Sequence, residues 1–288
     1  MSLSELVPGF AVLHSRAMAY NAGVLVRGND AVLIDAGLFA DEVDQLRSYI
    51  YAQAVVPTRI VLTHSHWDHV LGPEYFPGVP VVQQAESTDV LHGFRHEIER
   101  QVTGWEWQNR VERELPFVMP EPDQTFTDRL ELALGDKSIE LIHAPGHAPE
   151  QLVVYDRAEA TLWAADMLSD IEIPFVMQSL KAYQATLERL ARLDVRVLVP
   201  GHGAATKDIA EIRQRFALDQ AYLAQLEQRV ARAVEQGWSA RETLAVCADT
   251  EFRQAESNAR PHRLNVETAF LELGGAPEPG HEGWNRLQ

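Results

Sequence analysis

The stretch VLTHSHWDHVLG, residues 61–72, places His64, His66, Asp68 and His69 within six positions, directly after an apolar run. No other feature constrains the fold as tightly. A short apolar run of this kind reads as a strand buried on both faces. At its end, alternate side chains converge while the following turn swings the last two across. Neutral imidazole and carboxylate are the ligand types that suit zinc, with iron or manganese as the alternatives.

One loop cannot complete a metal site, so further ligands are expected at other strand ends. LIHAPGH supplies His147, TLWAAD supplies Asp166 and VLVPGHG supplies His202. Each follows an apolar run, which places all of them along one edge of the sheet layers. Gly146 and Gly201 leave space there for close backbone approach.

The remaining pattern fits an α/β (α+β) chain. FAVLHS, YNAGVLVR and AVLIDAG form a strand meander with RGND as a turn. DEVDQLRSYI has apolar residues at helical spacing, and RIVLTH returns to strand. The composition is helical from Gln84 to about Arg113, and PFVMPEPDQTF is a Pro-rich loop. SIELIHAPGH, QLVVYD and TLWAAD are strands, LKAYQATLERLARL is a helix and VRVLVPGHG a last strand, so the second half roughly repeats the first. Beyond Thr206 a long helical pattern runs to GWS. Ser239 with Glu242 makes a capping box, and LNVETAFLELGG is a helix ended by Gly274. The tail from Ala276 is expected to be mobile.

With the seven residues in view, the chain resembles the metallo-β-lactamase superfamily, whose signature is His-x-His-x-Asp-His followed by a separate His, an Asp and a final His. Here these are His64, His66, Asp68, His69, His147, Asp166 and His202, and the resemblance covers roughly residues 10–205. It implies a four-layer αββα sandwich for residues 1–205, with residues 206–288 as a helical C-terminal extension packed on the body. It also implies two divalent cations, zinc first. His64, His66 and His147 would hold one, Asp68, His69 and His202 the other, and Asp166 would bridge them. Asp35 in LIDAG matches an aspartate that braces the histidine loop in such proteins.

The implied chemistry is hydrolysis of a small ester, thioester or lactone by a metal-bridging hydroxide, with Asp68 both binding metal and orienting the nucleophile. Particular branches fit less well. Ala204 stands where glyoxalase II relatives usually carry tyrosine, and Ser169 stands where acyl-homoserine lactonases typically do. A mononuclear iron persulfide dioxygenase using His64, His147 and Asp166 stays open, as does a phosphodiesterase. A protein that had lost catalysis would be expected to have shed ligands, and none is shed.

Composition narrows the partners to small molecules. Forty-two acidic residues against 25 Lys and Arg give a formal charge of −17, which disfavours nucleic acid and anionic membranes. Cys247 is the single cysteine, so an intrachain disulfide is excluded and a core role is expected. The start lacks a basic segment followed by a sustained apolar one, and no stretch approaches a membrane span, so a cytoplasmic protein is expected. The long helix suits either a homodimer interface or packing on its own body.

Weaker signals carry two readings each. Trp105, Trp107, Phe117 and Met119 can wall a pocket or pack a helix. His92 and His96 are expected to be solvated. His143, at even spacing from His147 on the same strand, is either a donor behind the ligands or incidental. Tyr183 is expected to pack its helix. Arg260, His262, Arg263 and Asn265 are expected at a cap or on the surface.

Overall fold

A computed structural model describes residues 2–112 and 116–277. Two mixed sheets stand face to face. The first runs in chain order from β1 (Ser2–Val7) through β2 (Phe10–His14), β3 (Asn21–Arg27), β4 (Asp30–Ile34), β5 (Val56–Val61) and β6 (Val81–Gln84) to β7 (Gln124–Phe126). Its first four strands are antiparallel, and β4 through β7 are parallel. The second has the spatial order β12 (Val197–Val199), β11 (Thr161–Trp163), β10 (Leu152–Asp156), β9 (Lys137–His143) and β8 (Arg129–Leu134). Only its β11–β12 pair is parallel.

Parallel neighbours cannot be joined by a tight turn, and three of the connections are helical. The helix α1 (Ala40–Ala52) links β4 to β5, α2 (Ser87–Asn109) links β6 to β7, and α3 (Leu180–Leu190) links β11 to β12. After β12 come α4 (Ile209–Glu235), α5 (Ala240–Cys247) and α6 (Ala259–Glu272). The predicted capping box at α5 is present.

Side-chain alternation builds the layers. On β2, Phe10 and Val12 point between the sheets while Ala11 and Leu13 point to the helices. On β10, Leu152 and Val154 meet them from the other sheet, and Val153 and Tyr155 face outward. Thus the inter-sheet core includes Phe10, Ile34, Val61, Leu141 and Trp163. The outer face of the first sheet is covered by α1 and α2, that of the second by α3 to α6. This is the expected αββα sandwich. Leu223, Leu226 and Val230 of α4 share one apolar cluster with Leu162 and Leu198 of the second sheet.

Strands β1, β6, β7 and β8 are additions to the sequence reading. Of these, β6 and β7 are only four and three residues long, and β7 ends the stretch read as a Pro-rich loop. Strands β1, β7 and β8 lie at sheet edges, where neighbours fix pairing, although RLELAL of β8 does alternate. The expectation of a mobile tail falls mostly on residues outside those described. Among the described residues, no helix is long and apolar enough to cross a membrane.

Candidate metal centre

The seven side chains meet at one edge of the sandwich as two adjoining groups: His64, His66, His147 and Asp166, then Asp68, His69 and His202. His64 to His69 follow β5, Asp166 follows β11 and His202 follows β12, at the carboxyl ends of parallel strands. His147 lies in the loop after β9.

Hydrogen bonds behind the rings fix which nitrogen faces inward. His69 Nδ1 donates to Asp35 Oδ2 at 2.9 Å, His147 Nδ1 to the Phe175 carbonyl at 2.8 Å and His202 Nδ1 to the Met18 carbonyl at 3.0 Å. Thr63 Oγ1 donates its one proton to Asp35 Oδ2 at 2.8 Å, so at its 3.1 Å contact with His64 Nδ1 the ring is the donor. Four imidazoles therefore turn Nε2 to the centre, the orientation that outer hydrogen bonds impose on ligating histidines.

The inward atoms fit cations. His66 Nδ1 lies 3.0 Å from His64 Nε2 and 2.9 Å from His147 Nε2, and with one hydrogen at most it cannot donate to both. Buried His69 Nε2 and Asp166 Oδ1 have no hydrogen-bond partner among the described residues, although they lie 3.2 Å apart. Asp166 Oδ2 stands 3.7 Å from His64 Nε2 and 3.4 Å from His147 Nε2, while its Oδ1 is 3.7 Å from His202 Nε2. Asp68 Oδ2 lies 3.1 Å from His202 Nε2 and 3.6 Å from His69 Nε2. Nitrogen and carboxylate donors converging in this way suit a divalent ion.

Protonation follows the same division. Burial holds His64 well below the usual imidazole range, His66 at about 3, and His147 also low, so those three rings are neutral. Burial also opposes charge on His69 and His202, but Asp166 and Asp68 outweigh it, raising His69 well above its usual value and His202 to about 10. Burial pushes both aspartates up, yet the facing histidines bring Asp68 below the usual carboxylate range and Asp166 well below it. The two ionised aspartates thus draw positive charge to the second group.

The frame is rigid and locally strained. Thr63 N–H donates to Asp35 Oδ1 at 2.8 Å, and Ser65 N–H donates to Glu150 Oε1 at 2.8 Å. Asn21 Nδ2 donates to the carbonyls of Pro200 and Gly203, both at 2.8 Å, and Tyr20 Oη to that of Asp35 at 2.7 Å. A Cβ at Gly146 would strike the Tyr183 backbone, and one at Gly201 would strike Asp166 Oδ1. Met18, Ala19, Asp35, Ala165 and Leu168 hold left-handed backbone, at about 1–3 kcal/mol each.

Asp35 thus takes its expected bracing place. Glu150, Asn21, Tyr20 and the two carbonyl acceptors were not anticipated. Tyr183 is buried, and its Oη donates to the Asp166 carbonyl at 3.1 Å. His143 is the last residue of β9 and does not share a strand with His147; its ring contacts the Pro149 carbonyl at 2.7 Å, because the chain turns at Ala144 before reaching the ligand. His92 and His96 are exposed on α2. His262 and Asn265 are not surface residues. The helix begins at Ala259, earlier than expected, which turns both inward: His262 contacts Tyr222 Oη and the Cys247 carbonyl, each at 2.9 Å.

A cavity of about 960 Å³ opens over these side chains, walled by Trp67, Trp105, Ile171, Ile173, Phe175 and Met177, with Glu172 also at its border. Trp105 therefore lies where a pocket wall was considered. Trp107 is 83% exposed and points away, while Phe117 and Met119 pack in the core beneath α2.

Residues 16–202 match the family model of the metallo-β-lactamase superfamily. Fold and site together define a metal-dependent hydrolase. The chain belongs to the metallo-β-lactamase superfamily. An acyl-coenzyme A thioesterase, MBLAC2 of Gallus gallus, is 29% identical over 208 residues, spanning 62% of this chain and 70% of that protein. The probable metallo-hydrolase YqjP of Bacillus subtilis is 25% identical over 230 residues, spanning 67% and 70%. Among solved structures, a metallo-β-lactamase family protein of Thermus thermophilus, TTHA1429, aligns with a TM-score of 0.68 at 21% identity, over 94% of this chain and 95% of its own. The sec-alkylsulfatase Pisa1 from Pseudomonas sp. aligns at 0.72 and 16% identity, over 97% of this chain and 52% of its own.

Proposed function

We propose that this chain hydrolyses a small carboxylic ester, thioester or lactone at a dinuclear centre. His64, His66 and His147 would hold one cation, Asp68, His69 and His202 the other, and Asp166 would bridge them. The observation that carries this reading is the division of Asp166, whose Oδ2 faces His64 and His147 while Oδ1 faces His69 and His202. The similarity to the acyl-coenzyme A thioesterases MBLAC2 supports the acyl side of the choice.

Two divalent cations held there, zinc first and iron or manganese otherwise, would supply an acidified water and polarisation of the acyl carbonyl. The protein's own part is orientation. Asp68, kept ionised by His69 and His202, accepts a hydrogen bond from the attacking water and fixes its direction. Asp35, Thr63 and the Phe175 and Met18 carbonyls hold the rings so that no reorganisation is needed during the reaction. Trp67 and Trp105, with ring centroids 5.3 Å apart, exclude water from one side.

The test combines elemental analysis of protein purified without chelator with a panel of one ester, one thioester and one lactone. About two zinc, manganese or iron ions per chain together with turnover of a panel member support the reading. About one iron per chain, oxygen uptake on a persulfide and no hydrolysis overturn it in favour of a dioxygenase.

A further inference from the structure

The segment between β11 and α3, residues 164–179, has no regular secondary structure, so its backbone groups need partners from elsewhere. The part of the chain after β12 supplies them. Arg215 of α4 donates to the Leu168 carbonyl at 3.2 Å and to that of Ala204 at 2.9 Å. Arg253, paired with Asp219, donates to the Ser169 carbonyl. Asn258 Nδ2 donates to the Ile171 carbonyl at 2.9 Å while its Oδ1 accepts from Ile173 N–H at 3.3 Å. Asn265 repeats the arrangement one step on, donating to the Pro174 carbonyl at 2.6 Å and accepting from Val176 N–H at 2.7 Å. Arg215, Asn258 and Asn265 are buried.

This ladder grips an extended segment that borders the cavity, which Asn258 itself also lines. Ile171, Ile173, Phe175 and Met177 line the space over the ligand cluster together with Trp67 and Trp105, and the largely buried carboxyl of Glu172 borders the same space. Among the described residues, Arg100 is the only Lys or Arg lining that cavity, and it is paired with Glu97. An apolar wall of this extent, without a free cation beside it, suits an uncharged hydrocarbon group and not a second carboxylate.

We propose that the helical segment after β12 determines specificity: Arg215, Arg253, Asn258 and Asn265 are positioning residues that hold residues 168–176 as a wall against which an apolar acyl chain of several carbons lies. This rests on the hydrolase reading for its reaction but not for its binding prediction. Each methylene buried against the wall favours the longer chain, so an eight-carbon difference should give at least a tenfold preference.

The experiment uses the zinc-loaded full chain and two readouts. Hydrolysis of p-nitrophenyl acetate, hexanoate and decanoate gives kcat and KM. Binding of acetate and decanoate is followed by intrinsic tryptophan fluorescence, since Trp67 and Trp105 line the same space. The expected result is at least tenfold higher kcat/KM for decanoate ester than for acetate ester, carried by KM, and at least tenfold tighter binding of decanoate than of acetate. Ile171→Ser and Asn258→Ala should each bring both ratios toward unity with metal content unchanged, and Asn258→Asp, which keeps the acceptor for Ile173 N–H, should recover part of the loss. If Asn258→Ala fails to fold, Ile171→Ser decides alone. Equal binding of the two carboxylates, or ratios that the variants leave in place, overturns the proposal. Selective decanoate binding without any ester hydrolysis would sink the hydrolase reading and leave the wall standing, whereas hydrolysis without chain-length preference would do the reverse.

Discussion

Asp35 Oδ2 lies 2.9 Å from His69 Nδ1, and both side chains are shut off from solvent. The same carboxylate accepts from Thr63 N–H and Thr63 Oγ1, so one buried group sets both the histidine ring and the start of the ligand loop. Asp35→Ala should weaken zinc binding by about 10–100-fold, the usual effect of removing a hydrogen-bond partner behind a ligand. It should also cost about 1–3 kcal/mol of stability from the stranded Thr63 N–H. Zinc titration and urea unfolding check the two effects separately; unchanged affinity would sink the bracing role.

Asp166→Ala removes the carboxylate that faces both ligand groups. The fold should survive, by circular dichroism, while retained metal falls from about two ions per chain to about one or fewer and hydrolysis is nearly abolished. Two retained ions with full turnover would refute the bridge.

Gly201→Ala places a methyl group against Asp166 Oδ1. The neighbouring carboxylate is fixed and cannot yield cheaply, so the variant should lose about 1–3 kcal/mol of stability and shed metal. Thermal unfolding with elemental analysis measures both, and a variant as stable and as well loaded as the parent would count against the crowding.

Asp219 carries the pH prediction. Burial lifts its carboxyl to about 7 despite the Arg253 partner. The folded state therefore keeps a proton that the unfolded chain, with a carboxyl near 4, has released. The stability that this group contributes is fully present below about 4 and is lost as pH rises toward about 7. Asp219→Asn should flatten that limb of the pH–stability curve, measured by urea unfolding at intervals from pH 4 to pH 8. An unchanged slope would reject the assignment.

Cys247 is buried in the cluster beneath α4, and burial pushes its thiol up to about 11. It should therefore resist a thiol-disulfide reagent at pH 8 until denaturant is added. Prompt labelling of the folded chain would show that the α4–α6 packing opens readily.

What was legible in the sequence follows from where identity and position coincide. His64, His66, Asp68 and His69 advertise themselves because few other roles require those residue types so close together. His147, Asp166 and His202 could be found because each follows an apolar strand. Their supports could not be found in this way: Met18 and Phe175 act through carbonyls that every residue possesses. Asn21 and Glu150 touch loops far away in sequence. The misplacement of His143 had a different origin, since even spacing implies a shared face only while the strand continues, and β9 stops at His143. The inward turn of His262 and Asn265 depended on a helix start at Ala259, ahead of the Leu264 that the apolar pattern suggested.

The contact between His202 Nδ1 and the Met18 carbonyl spans 184 positions, and Asn21 reaches Pro200 across 179. A ribosome must therefore release most of the polypeptide before His202 can meet its support. The centre is assembled late, and long-range closure of this kind is slow. Cation uptake during refolding should accordingly trail the appearance of secondary structure, making a bound ion a timestamp for completed folding rather than a seed for it.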